Sequence, residues 1–118
     1  MNVDVIRRTR ELGLASLPGA MTPTEIMTAH RAGASFVKLF PIADLGSKYV
    51  KAVRAPISHV KLLAVGGVNE NNLKEFFAAG CVGAGIGGNL VNKAWIDAGE
   101  YNKITETARM LVEIAKES

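Results

Sequence analysis

The strongest constraint on the fold of this 118-residue chain is a spacing. Short apolar runs begin near residues 14, 35, 60 and 82, a repeat of about 21 to 25 residues. That is the length of one strand plus one covering helix. Parallel neighbours need a crossover of a dozen or more residues, and buried parallel strands read as continuous apolar runs, as these do. The expectation is an α/β chain: a leading helix, then a parallel sheet built from a strand–helix unit used four times.

The punctuation agrees. Asn2 or Asp4 can cap a first helix that holds Val5, Ile6 and Leu12 and stops at Gly13. Residues 14–17 read as the first strand, closed by Pro18 and Gly19. Thr22, Pro23 and Glu25 form a capping box with a first-turn proline, so residues 23–32 are predicted helical. The second strand is expected over 35–40, stopped by Pro41, with a helix over 47–54. The third runs over 60–65 into Gly66 and Gly67, and its helix over 70–79 has Asn69 as cap. A fourth strand over 82–86 enters Gly87, Gly88 and Asn89, and residues 101–116 carry apolar positions at helical spacing.

A closed eight-stranded barrel of this type takes ~250 residues, and four units are half of that. Three architectures fit the pattern: part of a barrel, a half-barrel that closes by pairing, or an open sheet sandwiched by helices. Composition narrows the class rather than the topology. With 48% hydrophobic and 21% charged residues the chain can bury a core, which excludes disorder. One cysteine, Cys81, rules out an intrachain disulfide and points to a reducing, cytoplasmic setting. No apolar run approaches the roughly 20 residues of a membrane span, and no charged leader precedes an apolar stretch, so neither membrane nor secretion is expected. A net charge of +3 is too small to argue for nucleic acid; it favours a small anion.

In parallel sheets and barrels, ligands bind at the C-terminal ends of the strands. Alternation places Phe36, Lys38 and Phe40 on one face and Val37 and Leu39 on the other. A lysine between phenylalanines is desolvated, which lowers its pKa and frees a neutral amine to attack a carbonyl as a Schiff-base nucleophile. An edge lysine that snorkels to water fits the periodicity equally well. Lys61, at the start of its strand, is expected to be solvated. Gly66, Gly67, Gly87 and Gly88 end the last two strands, where glycine lets backbone N–H groups approach a phosphate and a following helix start adds a favourable dipole. Each pair alone is also simply a turn.

Other polar residues carry less. His30 and His59 have no triad or metal-spaced partner and are expected at the surface. Cys81 reads as a small packed residue, Trp95 as an anchor for its loop, and Glu25 is accounted for by its capping box. No metal-ligand cluster and no P-loop is present, and no cofactor is implied.

Leu17 to Glu25, Phe36 to Pro41, Val65 to Val68 and Ile86 to Gly88 occur in one order and at one spacing. Together they resemble the 2-keto-3-deoxy-6-phosphogluconate (KDPG)/4-hydroxy-2-oxoglutarate (KHG) aldolases, class I pyruvate aldolases on a (β/α)8 barrel. The resemblance covers nearly the whole chain, and its specific part is the lysine strand followed by Phe-Pro. It implies that Lys38 matches the family's Schiff-base lysine and Phe40 the aromatic beside bound pyruvate. Pro18 and Gly19 match the turn ending the fifth strand, and Gly66, Gly67, Gly87 and Gly88 match the phosphate loops. Asn89 stands where many relatives have serine.

The resemblance further implies a four-stranded half-barrel, residues 1–118 forming the C-terminal half of such an aldolase. The family's first four strands, with its proton-shuttling glutamate and its carboxylate-binding arginine and threonine, have no counterpart among these residues. It implies cleavage of a 2-keto-3-deoxy-6-phospho sugar acid to pyruvate and glyceraldehyde 3-phosphate, with weak turnover by this chain. The implied partners are that keto acid and further copies of the chain, trimers being the family's habit. The rival expectation is a half-barrel that binds a phosphorylated ligand or self-associates without catalysis, its exposed strand edges favouring pairing.

Overall fold

The computed structural model describes residues 1–118. In chain order its elements are α1 (Val3–Glu11), β1 (Gly19–Ala20), α2 (Pro23–Arg31), β2 (Val37–Leu39), α3 (Gly46–Arg54), β3 (Leu62–Val65), α4 (Leu73–Ala78), β4 (Gly83–Gly85), α5 (Lys93–Asp97) and α6 (Tyr101–Lys116). The four strands form one parallel sheet in the order β1-β2-β3-β4, as the repeat predicts.

Local signals set the helix starts. Of the two candidate caps for α1, Asn2 takes the role, its side chain accepting from the N–H groups of Asp4 (2.9 Å) and Val5 (3.3 Å). The α2 capping box forms in full: Thr22 Oγ1 accepts from the Glu25 N–H at 3.3 Å, and the Glu25 carboxylate accepts from the Thr22 N–H at 2.8 Å. Asn69 does not cap α4. It accepts from the Asn71 N–H within a turn, and the helix starts at Leu73. Residues 93–97, read as a loop, form the short helix α5, which carries Trp95 half-buried.

The strands are shorter than expected, and the first one is shifted. Residues 14–17 are not the strand; β1 lies at Gly19–Ala20, and Leu14 and Leu17 are exposed. Pro18 and Gly19 therefore do not terminate the first strand. The carbonyls of Ser16, Pro18 and Ala20 accept from the N–H groups of Phe36, Lys38 and Phe40, so pairing runs straight through the proline. Pro18 has no N–H to return, which thins the ladder at that point.

The faces of the sheet differ sharply. Val37, Leu39, Leu62 and Ala64 have no exposed surface, whereas their neighbours Lys38, Leu63 and Val65 stay partly open and Phe40 is 49% exposed. The helices cover the first set alone, with α2 against β1 and β2, and α1·α2, α3·α4, α4·α6 and α5·α6 contacts completing the layer. One covered face excludes the open sheet sandwiched by helices and leaves a half-barrel. No helix is long and apolar enough to cross a membrane.

Candidate active site

Lys38 sits at the middle of β2, on the face the helices leave open. Its row across the sheet is Gly19, Lys38, Leu63, Gly83. Gly19 lies beside the lysine, and a Cβ there would stand 3.7 Å from Lys38 Cε, an ordinary packing distance. At Gly83 a Cβ would come within 2.9 Å of Leu63 Cδ2, so glycine is what lets the leucine lie flat over β4. The Lys38 ammonium nitrogen lies 4.7 Å from the centre of the Phe40 ring, a cation–π distance.

The desolvation expected from two flanking phenylalanines is incomplete. Phe36 turns to the other end of the sheet, where Lys61 Nζ lies 5.5 Å from its ring, and Lys38 is only partly buried because nothing covers this face. Burial of alternate residues depends on what lies over the face, which strand periodicity cannot report. Lys61 itself is exposed, as its position predicts.

The two glycine pairs converge. Phe40, Gly66, Gly67, Gly87, Gly88 and Asn89 line one cleft of about 560 Å³, together with Val65 and Ile86. Gly66 and Gly67 both have positive φ (94° and 75°), a conformation that side chains oppose. Space is closed to them as well, since a Cβ on Gly66 would meet Phe40 and Pro41 at 3.0 Å, and one on Gly67 would meet Ala43 at 2.5 Å. The N–H groups of Gly66, Gly67, Val68, Gly87, Gly88 and Asn89 donate to no group of the chain. Six free donors around a cleft are what an anion needs in place of water. Lys38, Pro18 and Gly19 do not line this cleft; Phe40 joins the two parts, touching the lysine on one side and the cleft on the other.

Two asparagines brace the cleft, a role that neither one's position in the sequence announces. Asn89 Nδ2 donates to the Val68 carbonyl at 2.9 Å, tying one loop to the other, and Asn72 Nδ2 donates to the Gly67 carbonyl at 3.0 Å. The run Asn69, Asn71, Asn72 is the signal for such side-chain-to-backbone turns. Glu25 is engaged: the Thr22 hydroxyl and N–H hold its carboxyl below the usual carboxylate range. Cys81 is buried, and burial pushes its thiol up to about 11, so it stays protonated and packs as a small apolar residue. His30 and His59 are brought together edge-to-face, ring centres 5.0 Å apart, a pairing that nothing in their spacing announced.

Fold and cleft define a class: a (β/α) half-barrel presenting a lysine on its open face and a cleft rimmed by free N–H groups at the C-terminal ends of parallel strands. Residues 1–107 match the family model described as KDPG and KHG aldolase. The chain is 44% identical over 88 residues to the 2-dehydro-3-deoxy-6-phosphogalactonate aldolase of Escherichia coli K12, covering 74% of this chain and 43% of that protein. It is 33% identical over 114 residues to the KHG/KDPG aldolase of the same strain, covering 95% and 53%. A solved structure titled "Native KDPGal structure" superposes with a TM-score of 0.90 at 36% identity, covering 99% of this chain and 55% of that one. The chain thus belongs to the KDPG and KHG aldolase family, whose members are TIM barrels, and it spans about half the length of the relatives it matches.

Proposed function

We propose that residues 1–118 are the C-terminal half of a class I aldolase barrel and carry its Schiff-base nucleophile, Lys38, and its phosphate site. The observation that carries the reading is the arrangement around Phe40, with the lysine on one side of the ring and a cleft rimmed by free N–H groups on the other. The phosphate loop begins three residues beyond Leu63, the residue in register with Lys38, or ~10 Å along the strand. The lysine side chain leans toward Phe40 and takes up part of that distance, which suits a six-carbon acid with its ketone at C2 and its phosphate on C6.

In this mechanism the neutral amine of Lys38 attacks C2, and loss of water gives a protonated imine. The imine draws the electron pair of the C3–C4 bond as that bond breaks. The C4 hydroxyl loses its proton, glyceraldehyde 3-phosphate leaves, and the pyruvate enamine remains on the lysine. A proton to C3 and water to the imine carbon release pyruvate. Gly66, Gly67, Gly87, Gly88 and Asn89 hold the phosphate through backbone N–H groups, Phe40 packs against the pyruvyl moiety, and Pro18 and Gly19 shape the wall beside the lysine. The first relative above favours the galactonate epimer of the substrate over the gluconate one. The two epimers differ at C4 and give the same products. A cytoplasmic setting accords with such a metabolite.

Proton transfer is the weak step in this chain. It calls for an acid/base titrating near pH 7; Glu25 is ionised and held in its capping box, and Asp44 and Glu70 are exposed. Imine formation should therefore outlast turnover. Borohydride reduction in the presence of pyruvate is expected to add the pyruvyl mass to the wild-type chain and not to Lys38→Ala. Equal labelling of the two would sink the proposal. Retro-aldol turnover, followed by pyruvate release, should be slow.

A further inference from the structure

We infer that Leu63, drawn aside over Gly83, sets the room beside Lys38 and so decides which 2-keto acids the lysine accepts, a role that rests on the reading of Lys38 as the imine-forming amine. Leu63 is in register with Lys38 on one side and with Gly83 on the other. It is half-buried, takes no part in the apolar core that holds its neighbours Leu62 and Ala64, and does not line the glycine-rimmed cleft. An apolar side chain on the open face, level with the lysine, is thus used neither by the packing under the helices nor by the cleft.

Its direction is set by what stands next to it. A Cβ on Gly83 would lie 2.9 Å from Leu63 Cδ2, closer than side chains approach, so the leucine branch occupies the place of the missing side chain. In the strand order β1-β2-β3-β4, a branch turned onto β4 is turned away from β2 and the lysine. Gly83 has no positive φ, so its backbone does not call for glycine; the space does. Neighbouring strands lie ~4.8 Å apart, and a leucine barred from β4 has few other staggered wells to occupy. One of them sets the branch against the lysine stem.

The room so made lies on the path of the substrate. Lys38 is on β2, whereas the cleft is built mainly at the ends of β3 and β4. A keto acid joined to Lys38 through C2, with its far end in the cleft, carries C3 and the carbons after it across β3, past Leu63. Pyruvate, which ends at C3, makes the least demand on this space, and a longer acid fills it. The wall is apolar and selects by shape, where a single methylene shifts preference by roughly 10- to 200-fold. Gly83 acts through Leu63 and is a positioning residue; Leu63 is the one that meets the substrate.

Borohydride reduces an imine to a stable secondary amine, so mass gained above the Lys38→Ala background reports imine formation on Lys38. The quantity to measure is the trapping rate of 2-oxohexanoate, an unbranched six-carbon acid without phosphate, divided by that of pyruvate. Gly83→Ala should lower this ratio roughly tenfold or more, and Leu63→Ala should raise it. The double variant Gly83→Ala/Leu63→Ala should return the ratio to the wild-type value or above. A glycine needed only for folding would lower both rates alike and leave the ratio unmoved. In protein whose circular dichroism matches the wild type, an unchanged ratio in either single variant, or a double variant no better than Gly83→Ala, overturns the inference and leaves Lys38 its role. If Gly83→Ala does not fold, Leu63→Ala decides alone by the same criterion. Wild-type protein that gains no pyruvyl mass overturns the aldolase reading and this role with it.

Discussion

The two faces of this sheet are made by the same strands one residue out of phase, yet they meet opposite demands. On the covered face Val37, Leu39, Leu62 and Ala64 lose all contact with solvent under the helices. On the open face Lys38 lies between Gly19 and Leu63, with Gly83 beyond, and Phe40 stands half exposed at the entrance to a glycine-rimmed cleft. One face supplies apolar burial, which is non-directional and stabilises in proportion to area. The other supplies placement: an amine, a ring and a set of free N–H groups at fixed spacing. Stability and chemistry are thereby separable, residue by residue along β2, and substitutions one position apart should have unlike consequences.

The largest expected effect is on the open face. Lys38→Ala should abolish reductive trapping with pyruvate while changing unfolding free energy by no more than about 1 kcal/mol, as urea titration would show. If the substitution unfolds the chain, the separation of roles fails. Next comes the covered face, where Leu39→Ala deletes a side chain with no exposed surface and should cost ~2–5 kcal/mol. Its folded fraction should still trap pyruvate. Loss of trapping in protein that is demonstrably folded would show that the faces are coupled.

A smaller effect separates the two loops of the cradle. Gly67→Ala meets both a positive φ and the Ala43 side chain, so it should cost roughly 1–3 kcal/mol and weaken binding of inorganic phosphate. A Cβ at Gly87 meets nothing, so Gly87→Ala should leave stability nearly unchanged, and any loss of phosphate binding there reports directly on approach to the N–H groups. The smallest effect at neutral pH is on the covered side. The Cys81 thiol is pushed above its ordinary value near 9 to about 11, so the fold favours the neutral form. The sign follows: this contribution is fully present below pH 9 and is lost as pH rises through 11. Thermal unfolding of wild type should fall across that window, and Cys81→Ala should flatten the fall.

What was legible in the sequence was local. The Thr22–Glu25 box, the proline at the first position of α2, the final amphipathic helix and the parity of Phe36, Lys38 and Phe40 are decided by atoms within a few residues of one another. The resemblance carried on four short motifs also survived, since the family match covers residues 1–107. The first strand was misplaced because Leu14 and Leu17 are apolar yet exposed. An apolar run signals a strand when it is buried, and here the neighbouring surface that would bury it is an open sheet edge. Asn69 has the residue type of a cap, but Asn72 takes the turn, accepting from the Asn69 N–H and donating to the Gly67 carbonyl.

By itself the sequence determined the strand–helix repeat, the helix starts and the face of β2 to which the lysine belongs, because each rests on hydrogen bonds and periodicities a few residues long. Tertiary structure decided which face the helices cover, that Gly19 lies in register beside Lys38, and that two glycine pairs 21 residues apart rim one cleft. Those facts depend on parallel pairing, whose partners are brought together by crossovers, and no window along the chain contains both sides of such a contact.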